Sequence, residues 1–174
     1  GTGQYVDMGD NPSQKPAGNK ISISAWFKCN NANAYQGIVG KYKTGNTGYA
    51  LQTNNQGKVH AILAIGNTQR KITPSNAVCD SAWHHAVMAY DGSAFKVYID
   101  GALGNGTSSL SVTGNISYDN SKLNLGARDS GTDLLNGTID EVGLWNVGLT
   151  LSEVQALYNG GNGWQYMLPT STPT

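Results

Sequence analysis

The side chains able to do chemistry in this 174-residue chain are few, and their spacing argues against turnover. His84 and His85 are adjacent, so on a strand they face opposite ways and cannot share one metal ion or one proton path. Asp140 and Glu141 are neighbours too, whereas the paired carboxylates of a glycosidase converge to within about 5 to 10 Å. No G-x-S-x-G elbow, H-E-x-x-H helix or phosphate-binding G-x-x-x-x-G-K-[ST] loop occurs. The pattern predicts a protein that binds rather than one that reacts.

What remains are ligand-holding groups. Calcium takes 6 to 8 oxygens from carboxylates, carbonyls, amides and water. The run Asp7-Met-Gly-Asp-Asn-Pro12 is oxygen-rich and bent by Gly and Pro. It could wrap such an ion if a carboxylate arrived from elsewhere, Asp140 being a candidate; the same run also reads as a plain turn. Sugar recognition sets an aromatic ring against the C–H face of a pyranose and amide or charged groups against its hydroxyls. Tyr35, beside Gln36, and Tyr42 and Asn46, in the polar run 41–46, have that character. Arg128 and Asp129 sit in a long polar loop and could complete a loop-borne edge. If Leu51, Val97 and Ile99 point inward, Gln52, Lys96 and Tyr98 point away from that core. Gln52 and Tyr98 therefore join the candidates, while Trp26, Phe27 and Trp145 read as core. An exposed tyrosine stack contributes about 1 kcal/mol beyond its area, so a site of this kind binds weakly.

These groups must be positioned by strands. Residues 21–27 alternate apolar and small polar types before turning apolar, as does Gly48–Thr53. Asn54-Asn-Gln-Gly57 should turn the latter into a hairpin with residues 58–65, and Asp91-Gly92 should do the same between 83–90 and 95–99. Further strands are expected at 122–126 and 137–145. Thr150–Tyr158 alone reads as helix, with Thr150 and Glu153 in capping-box positions and Asn159-Gly160 as its stop. The predicted fold is all-β: a two-sheet antiparallel sandwich with one short C-terminal helix. Residues 1–166 are expected to form the domain and the Pro/Thr-rich residues 167–174 a linker to a neighbouring domain.

Composition excludes several partners. Lys plus Arg equals Asp plus Glu at 11 each, so no field of one sign draws in nucleic acid or an anionic membrane. Charged residues make up 13% of the chain and Gly numbers 23, which suits a turn-rich extracellular β-protein. No apolar run is long enough to span a bilayer, and an export signal is expected to lie upstream or to have been removed. Cys29 and Cys79 are too few for a paired-cysteine zinc site; two buried thiols and a single disulfide both remain open.

Four stretches together resemble the laminin-G-like, concanavalin A-like jelly-roll superfamily, in its compact bacterial and phage branch. They are residues 5–9, 21–26, 83–101 with its two Asp-Gly turns, and Asn136–Asn146 with 149–153. The resemblance spans about residues 3 to 160 and implies a jelly roll. It implies a structural Ca²⁺ held by Asp10 and Asp140, with oxygens around Gly9, Asn11 and Gln14. It also implies a monomeric, secreted carbohydrate-binding module that tethers a catalytic or adhesion domain to a polysaccharide or oligosaccharide. A structural or adhesion domain of the same fold, without a glycan, is the alternative.

Overall fold

A computed structural model of the chain describes residues 4–30, 32–43, 45–128 and 131–163. Period-two alternation dictates its layers. In β2 (Ile21–Cys29), Ile21, Ile23, Ala25, Phe27 and Cys29 enter one large apolar core, so the residues between them face away from it.

Two six-stranded antiparallel sheets enclose that core. The first runs β1 (Val6–Asp7), β11 (Asn124–Leu125), β3 (Gln36–Lys41), β4 (Tyr49–Thr53), β5 (Val59–Ile65), β6 (Thr68–Ile72). The second runs β10 (Ser109–Ser111), β8 (Ala94–Ile99), β7 (His84–Tyr90), β2, β12 (Gly137–Trp145), with β9 (Ala102–Leu103) beside β8. This is the expected jelly-roll sandwich.

Both expected hairpins form, and their turns are closed by the side chains that predicted them. Asn54 Oδ1 accepts from the amides of Gln56 and Lys58; Asp91 Oδ1 accepts from those of Ser93 and Ala94. The helix α1 (Leu151–Tyr158) carries the reciprocal Thr150–Glu153 capping box and ends on Asn159 in the left-handed conformation. The strand expected over 122–126 shrinks to Asn124–Leu125.

Sequence alternation does not predict β3 and β6. β3 reads Gln-Gly-Ile-Val-Gly-Lys, and its glycines resemble loop punctuation. Their reason is contact: a Cβ on Gly37 would lie 2.2 Å from the backbone carbon of Ala127, and one on Gly40 would lie 2.8 Å from the carbonyl oxygen of Arg128. The glycines let the 126–128 backbone lie directly on the strand. β6 reads Thr-Gln-Arg-Lys-Ile, too polar to stand out.

Cys29 and Cys79 form a disulfide across 50 positions. It ties the end of β2 to the segment leading into β7, a segment itself anchored on the β4–β5 turn through Val78 N–H to the Gly57 carbonyl. The bridge thus joins the two sheets. No helix among the described residues is long and apolar enough to cross a membrane. The linker expected at 167–174 lies outside the described residues.

Candidate ligand-binding face

The hairpin register sets up two outward rows on the first sheet. Gly37 pairs with Gln52 and Gln52 with His60; Gly40 pairs with Ala50, Ala50 with Ile62, and Ile62 with Lys71. Gln52, Ala50 and Ile62 form a closed floor, and Tyr42 packs with Ala50 and Ile62. Tyr35 is 42% exposed and stands edge-on to His60, ring centres 6.0 Å apart. Tyr42 accepts a hydrogen bond from the Gln69 amide, which also donates to the Gly45 carbonyl; Asn46, the next residue, is exposed.

Arg128 closes this face from above. Its loop is fastened to β3 by Gly126 N–H to the Ile38 carbonyl, Gly37 N–H to the Asp133 carbonyl, and Leu135 N–H to the Gly126 carbonyl. The guanidinium lies 5.9 Å from the Tyr42 ring centre, within cation–π range. It sits 2.8 Å from the Asp133 carboxylate, yet Asp133 Oδ2 lacks a well-aligned hydrogen bond. Arg128 Nε and the buried Gln52 Oε1 also have no hydrogen-bond partner. Both atoms are themselves buried, as are the unpartnered Trp26 Nε1 and His85 Nδ1 of the second sheet, so the accessible polar groups on this face are the partly exposed Arg128 guanidinium and Asp133 carboxylate.

His60 donates to or accepts from Thr73 Oγ1 at 2.6 Å. Burial holds its pKa below the ordinary value, and the nearby Lys71 and Arg128 cations push it the same way. The sequence had not singled out His60. Alternation along β5 was the available signal, since it places His60 on the same face as Ile62.

Five of the six candidate ligand-binding residues, Tyr35, Tyr42, Asn46, Gln52 and Arg128, are thus on or beside one face. Tyr98 is not brought there. It lies on the second sheet, 4% exposed, under α1 with Val87, Ala89, Leu149 and Val154. It does point away from the main core, but into a second, smaller one. Asp129 lies outside the described residues.

The candidate calcium residues divide. Asn11 caps the single helical turn Pro12–Gln14, accepting from Ser13 N–H, while Gln14 Oε1 accepts from Asn11 N–H. Gly9 N–H donates to Asp7. Asp10 faces two ammonium groups, Lys15 at 2.8 Å and Lys41 at 2.6 Å, whose hydrogen bonds hold its carboxyl below the usual range. Lys41 also lies 3.5 Å from Gln14 Oε1 and donates to the Ser121 carbonyl. These oxygens do not fit a calcium ion, because an ammonium already stands among them.

Asp140 is elsewhere, opposite Trp26 on the second sheet, its carboxylate accepting from Glu141 N–H. A bulge between Asp140 and Gly143 breaks the alternation, with Glu141 in the left-handed region at φ 46°. Asp140 and Glu141 consequently both line one concavity with Trp26, Trp83 and residues 161–163, where strict alternation would have put them on opposite faces. Of the expected core aromatics, Phe27 is fully buried in the main core. Trp26 instead stacks outward on Tyr158, ring centres 5.5 Å apart, and Trp145 packs against the cluster under α1.

Two antiparallel sheets with one outer face capped by a helix and the other left polar define a jelly-roll sandwich of the lectin type. The chain belongs to the concanavalin A-like lectin/glucanases superfamily, whose family model matches residues 1–155. No curated protein sequence matches it. Among solved structures it is similar to the carbohydrate-binding module CBM40 of the Ruminococcus gnavus IT-sialidase. The TM-score is 0.72 at 16% identity, over 90% of this chain and 92% of that one. The same module bound to α2,3-sialyllactose gives 0.68 at 17%, over 90% and 92%. The binding domain of botulinum neurotoxin DC, in complex with SialylT, gives 0.68 at 16%, over 89% of this chain but only 39% of that one. Likeness at these identities establishes the fold.

Proposed function

We propose that this chain is a non-catalytic carbohydrate-binding module that holds an oligosaccharide or polysaccharide on the outer face of its first sheet. The observation that carries this is the convergence on one face of the exposed Tyr35 ring, edge-on to His60, and the partly exposed Arg128 guanidinium beside Tyr42, over a floor that includes Gln52. Tyr35 offers a ring to a pyranose; Arg128 and His60 meet hydroxyls above the Gln52 floor; Asn46 stands at the rim. Solved neighbours whose names state carbohydrate binding support the same reading.

Because the floor is closed, a glycan would lie across a shallow platform. Affinity in the micromolar to millimolar range, about −4 to −8 kcal/mol, is expected. Such a domain works by raising the local concentration of whatever it is attached to. The Cys29–Cys79 disulfide suits an extracellular location, and a monomer suffices for the site.

The test is isothermal titration with a panel of neutral polysaccharides and sialyllactose, on the wild type and on Arg128→Ala. Binding of one glycan that Arg128→Ala weakens supports the assignment. No binding across the panel would instead leave the domain a structural or adhesion module, and binding indifferent to Arg128 would move the glycan off this face.

A further inference from the structure

Lys41 is the most unusual side chain in the protein. It ends β3, carries a positive charge, and is 0% exposed. Lysine is almost never fully buried unless paired, because removing an unpaired charge from water is very costly. Here the ammonium is met by oxygens from two separate loops: Asp10 Oδ1 at 2.6 Å and Gln14 Oε1 at 3.5 Å from the first, and the Ser121 carbonyl from the second. A carboxylate, a side-chain amide and a backbone carbonyl are the donor types that calcium gathers.

The surroundings are built as a junction. Lys15 binds the outer side of the Asp10 carboxylate and reaches Asn120 at 3.5 Å. Asp119, which feels the Lys41 charge, accepts from Thr47 at 2.7 Å. Tyr49 donates its hydroxyl proton to the Gln14 carbonyl at 3.0 Å. The loops 10–15 and 119–121 and the β3–β4 connection thus meet around one cation.

We propose that the Lys41 ammonium is a resident cation, occupying from within the chain the position a divalent metal would otherwise fill between these loops, so that this junction is metal-independent. A calcium ion added there would have to displace a covalently attached, fully buried ammonium from a partly exposed carboxylate and would meet its repulsion. Removing the ammonium leaves Asp10 with Lys15 alone, takes the close donor from the Ser121 carbonyl, and leaves Gln14 Oε1 only the Asn11 N–H, a loss of the kind that makes breaking a buried pair destabilising.

The experiment is thermal unfolding of the wild type, Asp10→Asn, Lys41→Met and Lys15→Met, each in EDTA and in millimolar CaCl₂. The wild type is expected to melt at the same temperature in both. Lys41→Met is expected to fall by roughly 10 °C, and Lys15→Met, whose ammonium is partly exposed, by roughly 3 °C or less. A calcium-dependent rise in the wild type that Asp10→Asn abolishes would overturn the proposal, as would a Lys41→Met protein as stable as the wild type. A rise that Asp10→Asn leaves intact places a metal elsewhere and upholds the junction as metal-free. Should Lys41→Met fail to fold, the wild-type and Asp10→Asn melts still decide. Glycan binding is not a readout here, so the outcome is independent of the proposed function.

Discussion

On the second sheet the outward residues Val87, Ala89 and Tyr98 are covered by Leu149 and by Val154 of α1; on the first sheet the outward Ala50 and Ile62 are covered by Tyr42, whose ring the Arg128 guanidinium approaches in turn. The same strand alternation produced both faces. They differ in what the chain supplies to finish them. The helix brings apolar side chains, and Ser22, which faces it, is satisfied twice, donating to the Val147 carbonyl and accepting from Leu149 N–H. On the first sheet Arg128 and Asp133 bring a guanidinium and a carboxylate, 2.8 Å apart and each about a quarter exposed. One face is closed by apolar packing, while the other ends in a partly exposed ion pair.

The largest effect that separates them is at Tyr98. Tyr98→Ala should remove about 3 kcal/mol of stability, as truncation of a large buried aromatic does, and lower the melting temperature by roughly 6 to 12 °C. Glycan affinity, measured well below that temperature, should stay unchanged. An affinity loss at Tyr98→Ala with an unaltered melt would reverse the roles assigned to the two faces.

Arg128→Ala should do the opposite. Its guanidinium is about a quarter exposed and paired with a carboxylate of similar exposure, a geometry that contributes about 1 kcal/mol or less to folding. A charge-assisted hydrogen bond to a ligand contributes about 1.5 to 3 kcal/mol, so titration should show at least a tenfold loss of affinity. A melt shifted further than the binding would mean that Arg128 is chiefly a clasp for its loop.

Much of this contrast was legible from residue types. The two hairpins, β2, β12 and the capped helix follow from periodicity and turn chemistry, both local properties. Gln52 and Tyr98 were correctly read as pointing away from the main core; alternation fixes which side of a sheet a residue takes, but not what later covers that side. β3 was missed because Gly37 and Gly40 answer to a loop some 90 positions away. The Asp140–Glu141 pair was misread because a bulge suspends the alternation on which the reading relied. Lys41 gave no signal at all, since nothing in a lysine beside a tyrosine announces that two distant loops will enclose its ammonium.

Tyr35→Ala sharpens the comparison on a smaller scale. The ring is 42% exposed and touches His60 edge-on, so stability should change by about 0.5 kcal/mol or less. If the ring stacks on a sugar, affinity should drop by about 1 kcal/mol, roughly fivefold. An unchanged affinity would shift the binding area toward Arg128 and Lys71.

The smallest expected effect is one of pH, and it distinguishes the faces by their histidines. His60 and His85 are both held below the ordinary value of 6.5 chiefly by burial, His85 down to about 4. For each, the folded state favours the neutral ring. The stability this confers is complete above pH 6.5, where the unfolded chain is also neutral, and is lost as pH falls from there through the folded value. Only His60 lies on the proposed ligand face. A neutral glycan covering it would desolvate it further and lower its pKa again, so affinity should be level from pH 8 down past 6.5 and fall only as pH drops through the lowered folded value, by less than about fivefold. His60→Gln should flatten that dependence, and His85→Gln should leave it untouched. A ligand carrying a carboxylate reverses the sign, since a protonated His60 beside Lys71 and Arg128 would attract it and affinity would rise as pH falls. Titrations at pH 7.5, 6.5 and 5.5 therefore read two things at once: whether the ligand covers His60, and whether that ligand is charged.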